Sequence, residues 1–348
     1  MKHLHDIPSA FKHEFANPRL WWSRAVVVGM AAIAGLVVVG FTWLADEALD
    51  LFLFFNGKAW WFALLWTPAC AALLVWLTRR YAIGAAGSGI PQVMATLDPA
   101  VAPEQRNSGL IVAGIVLAGM MAVSIHGNAT HFGIIHPGPI GLALALPGLL
   151  VTLVAGVAGG LFARLLLASA RGNPLGKLSA WRKGRPVLFA AVCGVLVAAI
   201  GIASHGATFG SGTVATRAML EGSSDASPAF VAFKYVATWL TVWSGVPAGI
   251  FAPSLAIGAG IGHDIAVLLH YPHAPALIAL GMVGFLAAAT QAPLTAFIIV
   301  MEMVDGHGMV LSLMACAVVA STVSRVLSEP LYAALAQLQL QRLPAPPN

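Results

Sequence analysis

In a chain of 348 residues, 59% are hydrophobic and only 9% charged, whereas a soluble domain carries roughly a quarter charged residues. So little polar surface excludes a water-soluble globule, and lipid becomes the main solvent. The net charge of +5 comes from basic residues lying between apolar runs, the pattern of cytoplasmic loops rather than of a nucleic-acid-binding face.

Residues 1–24 form a polar, mixed-charge segment expected in the cytoplasm. The apolar run that begins at Ala25 is too long for a signal-peptide core, so no cleaved leader is expected. Residues 25–44 contain no charge, and about twenty residues suffice to cross the hydrocarbon core. A second span is predicted over 60–78. Lys12, Arg19 and Arg24 precede the first span and Arg79 and Arg80 follow the second, while Asp46, Glu47 and Asp50 face a single Lys58 between them. The bias predicts a hairpin with both ends cytoplasmic and a loop between the spans.

Residues 82–97 are rich in small residues, interrupted by Pro91 and too short to cross, which predicts a half-helix or re-entrant element. Further apolar segments follow at 110–123, 142–167, 187–203, 229–243, 249–269, 276–303 and 309–326, several with internal Gly or Pro that predict tilted or broken helices. Arg164, Arg171, Lys177, Arg182, Lys183 and Arg185 occupy one connecting region without an acid, which places it in the cytoplasm. The short proline-rich tail, 337–348, leaves no room for an appended soluble domain, and one membrane domain over 25–336 is the reading. Its parts are 25–97, the middle helices at 110–170 and the second half at 187–336. The fold class is all-α and polytopic.

Broken helices suggest a purpose. An anion brought into a bilayer gives up its water at great cost. A helix N-terminus offers unpaired N–H groups and about half a positive charge, enough to replace that water without holding the ion too tightly. In transporters the sequence trace is a short apolar segment opened by Gly and Pro. Two places carry it: Gly87-Ser88-Gly89-Ile90-Pro91, where Ser88 offers a hydroxyl and Pro91 suits a first turn, and the run from Ser244 through Gly249-Ile250-Phe251-Ala252-Pro253. Plain helix breaks remain the competing reading at both.

These strings resemble the GSGIP and GIFAP signatures of the CLC family of chloride channels and proton-chloride antiporters. They are followed in the family's order by Ala287 to Thr295, Val300-Met301-Glu302-Met303 and Pro330-Leu331-Tyr332. The resemblance implies an inverted-repeat architecture, a homodimer with a pore in each subunit, a multi-pass protein of a bacterial-type inner membrane, and chloride as substrate, with no cofactor and no enzyme activity. It also implies a chloride site made by the Ser88 hydroxyl, the Ile250 and Phe251 amides and the Tyr332 phenol, supported by Gly87, Gly89, Pro91, Gly249 and Pro253. A serine in the first motif resembles the chloride-preferring members.

The chain departs from the family pattern between Pro91 and Gly249. The GREGP or GKEGP motif, whose glutamate gates the pore and carries protons, does not occur, nor does the first alanine-rich block ending in paired glutamates. Asp98 to Arg106 runs directly into Asn107-Ser108-Gly109, so the first half is incomplete and its repeat partner for the GIFAP region is lost. Two expectations follow: transport uncoupled from protons, or a non-conducting, internally deleted remnant serving as a membrane scaffold. Exposed helix faces left by the loss predict lowered stability.

Smaller features have plainer readings. Cys70, Cys193 and Cys316 lie in apolar stretches without metal-ligand spacing, as buried free thiols do. His126, His131 and His136 recur every five residues and so fall on different helix faces, which favours loop or interface positions over a metal site. Glu302 is expected to serve a helix end. Gly156 and Gly160, like Gly258 and Gly262, have the spacing of close helix contacts.

Overall fold

The computed structural model describes residues 18–82, 90–91, 94, 120, 124, 130–135, 141–172, 176–223 and 227–340. Among these residues there are twelve α-helices and no strand: α1 (Pro18–Lys58), α2 (Phe62–Tyr81), α3 (Leu142–Arg171), α4 (Gly176–Gly184), α5 (Pro186–Ala203), α6 (Thr213–Leu220), α7 (Ala229–Ser244), α8 (Phe251–Leu268), α9 (Ala274–Thr290), α10 (Pro293–Met303), α11 (Val310–Leu327) and α12 (Leu331–Leu340). Six helices, α1, α2, α3, α5, α8 and α11, are long and apolar enough to cross a membrane. The protein is an all-helical, multi-pass membrane protein. Its residues cluster into two compact units, Met1–Phe54 with Ala102–Ala129, and Phe55–Val101 with Thr130–Asn348.

The described part of the first unit is chiefly α1. The expected loop around Asp46, Glu47 and Asp50 is instead helix, and α1 runs for 41 residues. No Gly or Pro interrupts 41–56, so nothing in the sequence breaks the helix before Gly57. At 1.5 Å per residue it is roughly 60 Å long, about twice the hydrocarbon thickness, which carries its acidic turns beyond the apolar layer.

The second unit has its core where α9 packs along α8, α3 and α11. All residues of α9 from Ala276 to Thr290 are buried. The α8–α9 contact is a backbone contact: a Cβ on Gly258 would strike the carbonyl of Gly281, and one on Gly262 the carbonyl of Leu277. Small residues bring helices this close because dispersion between backbones, rather than expulsion of water, holds helices together in lipid. The glycine spacing read from the sequence has that role here.

The apolar run 276–303 is broken. Gln291 caps α9 in the left-handed region, with φ 55, and α10 restarts at Pro293, whose ring and missing N–H disfavour an uninterrupted helix. The Gln291 side chain holds the break in place by donating through Nε2 to the Ser328 carbonyl at 2.8 Å. Two short helices lacked a sequence expectation. The eight residues of α6 are too few for a clear apolar period, and α4 lies inside the basic connection, where Arg182 Nη1 donates to the Ser169 carbonyl at 3.1 Å. Arg164 and Arg171 themselves belong to α3 rather than to a loop.

Candidate anion-binding site

Helix α7 ends at Gly245, which adopts φ 88 and donates its N–H back to the Val242 carbonyl. That left-handed turn reverses the chain and delivers the segment Val246 to Ile250 to the start of α8. Ile250 is the N-cap of α8 and makes no side-chain cap hydrogen bond. The next residues in the first turn are Phe251, Ala252 and Pro253, and the first ladder bond there runs from Ser254 N–H to the Ile250 carbonyl at 2.9 Å. Pro253 has no N–H to offer, so the uncapped positive end of the helix is concentrated at Ile250, Phe251 and Ala252. A Cβ on Gly249 would meet nothing within 4 Å, so the residue just before the N-cap has open space beside it.

Tyr332 reaches the same place from the far end of the chain. Pro330 ends the linker after α11, and Tyr332 is the second residue of α12. Its ring stacks on that of Phe251 with centroids 6.1 Å apart and planes 28° from parallel. Tyr332 is 8% exposed and Ile250 5%, and both belong to the main hydrophobic cluster, against which Ile90 and Phe251 also pack. The geometry therefore unites Ile250, Phe251 and Tyr332.

Of the first motif, Ile90 and Pro91 are helical, and Pro91 is buried. Ser88, Gly87 and Gly89 lie outside the described residues, as do the junction at 98–109, His126 and His136. His131 stands in a loop, its carbonyl accepting a 2.7 Å bond from Arg217 Nη2. Glu302 is at the end of α10, 63% exposed and 3.7 Å from His307 Nε2, away from the buried cluster. Cys193 and Cys316 are buried free thiols and Cys70 is half-buried. Among the described residues no His, Cys, Asp and Glu group has the makings of a metal site.

Sequence reasoning missed two polar groups near α8. Ser254 is fully buried, one turn into the helix, and its Oγ has no hydrogen-bond partner among the described residues. Lys234 on α7 is 3% exposed and donates through Nζ to the carbonyls of Thr208 at 2.9 Å and Gly210 at 2.8 Å. An unpaired hydroxyl leaves no trace in a sequence, whereas a lysine in the middle of an apolar run is a signal available from residue type alone.

The model of the family described as voltage gated chloride channel matches residues 99–325, about two thirds of the chain. The H(+)/Cl(-) exchange transporter ClcA of Salmonella paratyphi A is 35% identical over 109 residues, which are 29% of this chain and 23% of that protein. ClcA of Klebsiella pneumoniae is 33% identical over 116 residues, 31% of this chain and 25% of the relative. The chain thus aligns with about a quarter of the length of the curated relatives it matches. Among solved structures, a slow cyanobacterial Cl-/H+ antiporter superposes with a TM-score of 0.70 at 18% identity, covering 91% of this chain and 98% of that one. A CLC-type fluoride/proton antiporter gives 0.69 at 17% identity, covering 92% and 99%. At such identities the likeness concerns the fold.

Proposed function

The chain belongs to the voltage gated chloride channel family, and from that premise we propose that it carries chloride across a membrane through a site at the start of α8. The observation that supports this reading most is the meeting of Phe251 and Tyr332, residues 81 positions apart whose rings are 6.1 Å from one another. It puts a phenol beside an uncapped helix N-terminus whose amides carry partial positive charge. Donors without a full charge suit a monovalent ion that must leave again. The Ser88 hydroxyl is the proposed further donor. Chloride enters as substrate, no cofactor is required, and the reading includes a homodimer in a bacterial-type inner membrane.

The relatives named above are proton-coupled exchangers, but the glutamates that would couple protons in the family pattern do not occur between Pro91 and Gly249. The proposed transport is therefore chloride movement uncoupled from protons. The test is chloride efflux from vesicles containing the purified chain, with Ser88→Ala and Tyr332→Ala alongside, and with a proton gradient monitored in parallel. Chloride efflux that both variants slow supports the site. Uphill proton movement driven by chloride contradicts the uncoupled reading, and no efflux at all leaves the membrane scaffold.

A further inference from the structure

Helices α3 and α11 approach closely where α3 carries glycine. A Cβ on Gly156 would come within 3.2 Å of Ala320 Cα, and one on Gly160 within 3.1 Å of Ser324 Cα. The same face of α3, stepping by four residues, continues through Arg164 and Ala168 towards Arg171. Two arginines there take the place that small residues hold further up, and the close contact opens into a cavity of about 860 Å³. Its lining includes Arg164, Arg171, Arg325, Gln291, Ser328 and Glu329.

The charges do not balance. Arg171 is paired with Glu329 at 2.5 Å, while the ion pairs recorded among the described residues give no carboxylate to Arg164 or Arg325. A cavity with three guanidiniums and one carboxylate carries two positive charges in excess. Guanidinium forks are built to meet phosphate oxygens. Gln291 also lines the cavity and donates through Nε2 to the Ser328 carbonyl, which holds the wall of the cavity in place.

The surroundings fix the source. The cavity lies at the end of α3 that leads into the basic connection, the side the charge bias places in the cytoplasm. At its rim Val326 is 85% exposed, and Val318 and Leu161 on the two helices above it are 52% and 45% exposed. Apolar surface beside a basic cavity at the membrane face accommodates acyl chains. We propose that this cavity binds the headgroup of an anionic phospholipid of the phosphatidylglycerol type, its phosphate between Arg164 and Arg325.

Native mass spectrometry of the purified protein, exposed to defined detergent-lipid mixtures, tests this without reference to chloride. Phosphatidylglycerol and phosphatidylmethanol, which carry the same charge, should both be retained better than phosphatidylcholine. The double variant Arg164→Ala/Arg325→Ala, which leaves the Arg171–Glu329 pair in place, should lose roughly thirtyfold of the preference for phosphatidylglycerol over phosphatidylcholine, one tenfold step being worth about 1.4 kcal/mol. A far-UV and thermal-unfolding check on the variant establishes that it is folded. Retention of phosphatidylglycerol no better than phosphatidylcholine, an unchanged preference in the folded double variant, or displacement of the lipid by excess inorganic phosphate would each overturn the assignment.

Discussion

Phe251, the first residue of α8, carries the ring of Tyr332, the second residue of α12, on its own ring at a centroid distance of 6.1 Å. The pair ties the C-terminal helix to the helix whose amides are proposed to meet the ion. Replacing Tyr332 with Phe keeps the ring stack and removes the phenol, whereas Ala removes both. Thermal unfolding in detergent should place Tyr332→Phe close to wild type and Tyr332→Ala lower by roughly 3 kcal/mol, the usual loss for deleting a buried aromatic ring. Both variants should slow chloride efflux. Equal stability losses in the two would show that the phenol, not the stack, anchors α12.

The two kinds of glycine in this region make opposite predictions. Gly258→Ala drives a methyl into the Gly281 backbone and is expected to cost at least about 1–3 kcal/mol by overpacking. Gly249→Ala meets open space and should stay within about 0.5 kcal/mol of wild type. Because it adds a methyl next to the N-cap of α8, it should reduce efflux while leaving unfolding unchanged. Full efflux in Gly249→Ala would place the ion elsewhere.

Ser254 has a fully buried hydroxyl with no partner among the described residues. An unsatisfied buried hydroxyl costs about 1–3 kcal/mol, so Ser254→Ala should be neutral or stabilising in chloride-free buffer. If the hydroxyl serves the ion, chloride should then raise the unfolding temperature of the variant less than that of wild type. An identical chloride shift in both would remove Ser254 from the site.

Lys234 bridges the Thr208 and Gly210 carbonyls from α7. Lys234→Met relieves a buried charge and strands two acceptors. The Thr208 carbonyl decides the outcome, because Thr208 is buried and loses its donor, whereas Gly210 is exposed and its carbonyl can turn to solvent. The expected net loss is roughly 1–3 kcal/mol, seen as faster hydrogen exchange over residues 204–212. Unchanged exchange there would show that the segment is held by other contacts.

Much of this architecture was legible in the sequence, and what was not has physical reasons. The long apolar runs marked α2, α3, α5 and α11 because lipid demands continuous hydrophobicity, and internal Gly and Pro announced broken helices in general, though not that 276–303 divides at Pro293. The glycine spacings at Gly156 and Gly258 announced close helix contacts, and the resemblance placed Ile250, Phe251 and Tyr332 together. The charges at Asp46, Glu47 and Asp50 misled, because acidic residues end a membrane span without ending a helix. Short α6 was invisible, since eight residues barely define a period. The cavity between α3 and α11 could not be read either: its lining brings together Arg164 and Arg325, 161 positions apart in the chain.

A halide is proposed to rest between the α8 amides and the Tyr332 phenol. Crystals grown with bromide in place of chloride, measured at the bromine edge, test it most directly. An anomalous peak is expected within hydrogen-bond reach of the Ile250 and Phe251 N–H groups and the Tyr332 hydroxyl, weakened in Tyr332→Phe. Bromide found elsewhere in the protein, with that space empty, would contradict it.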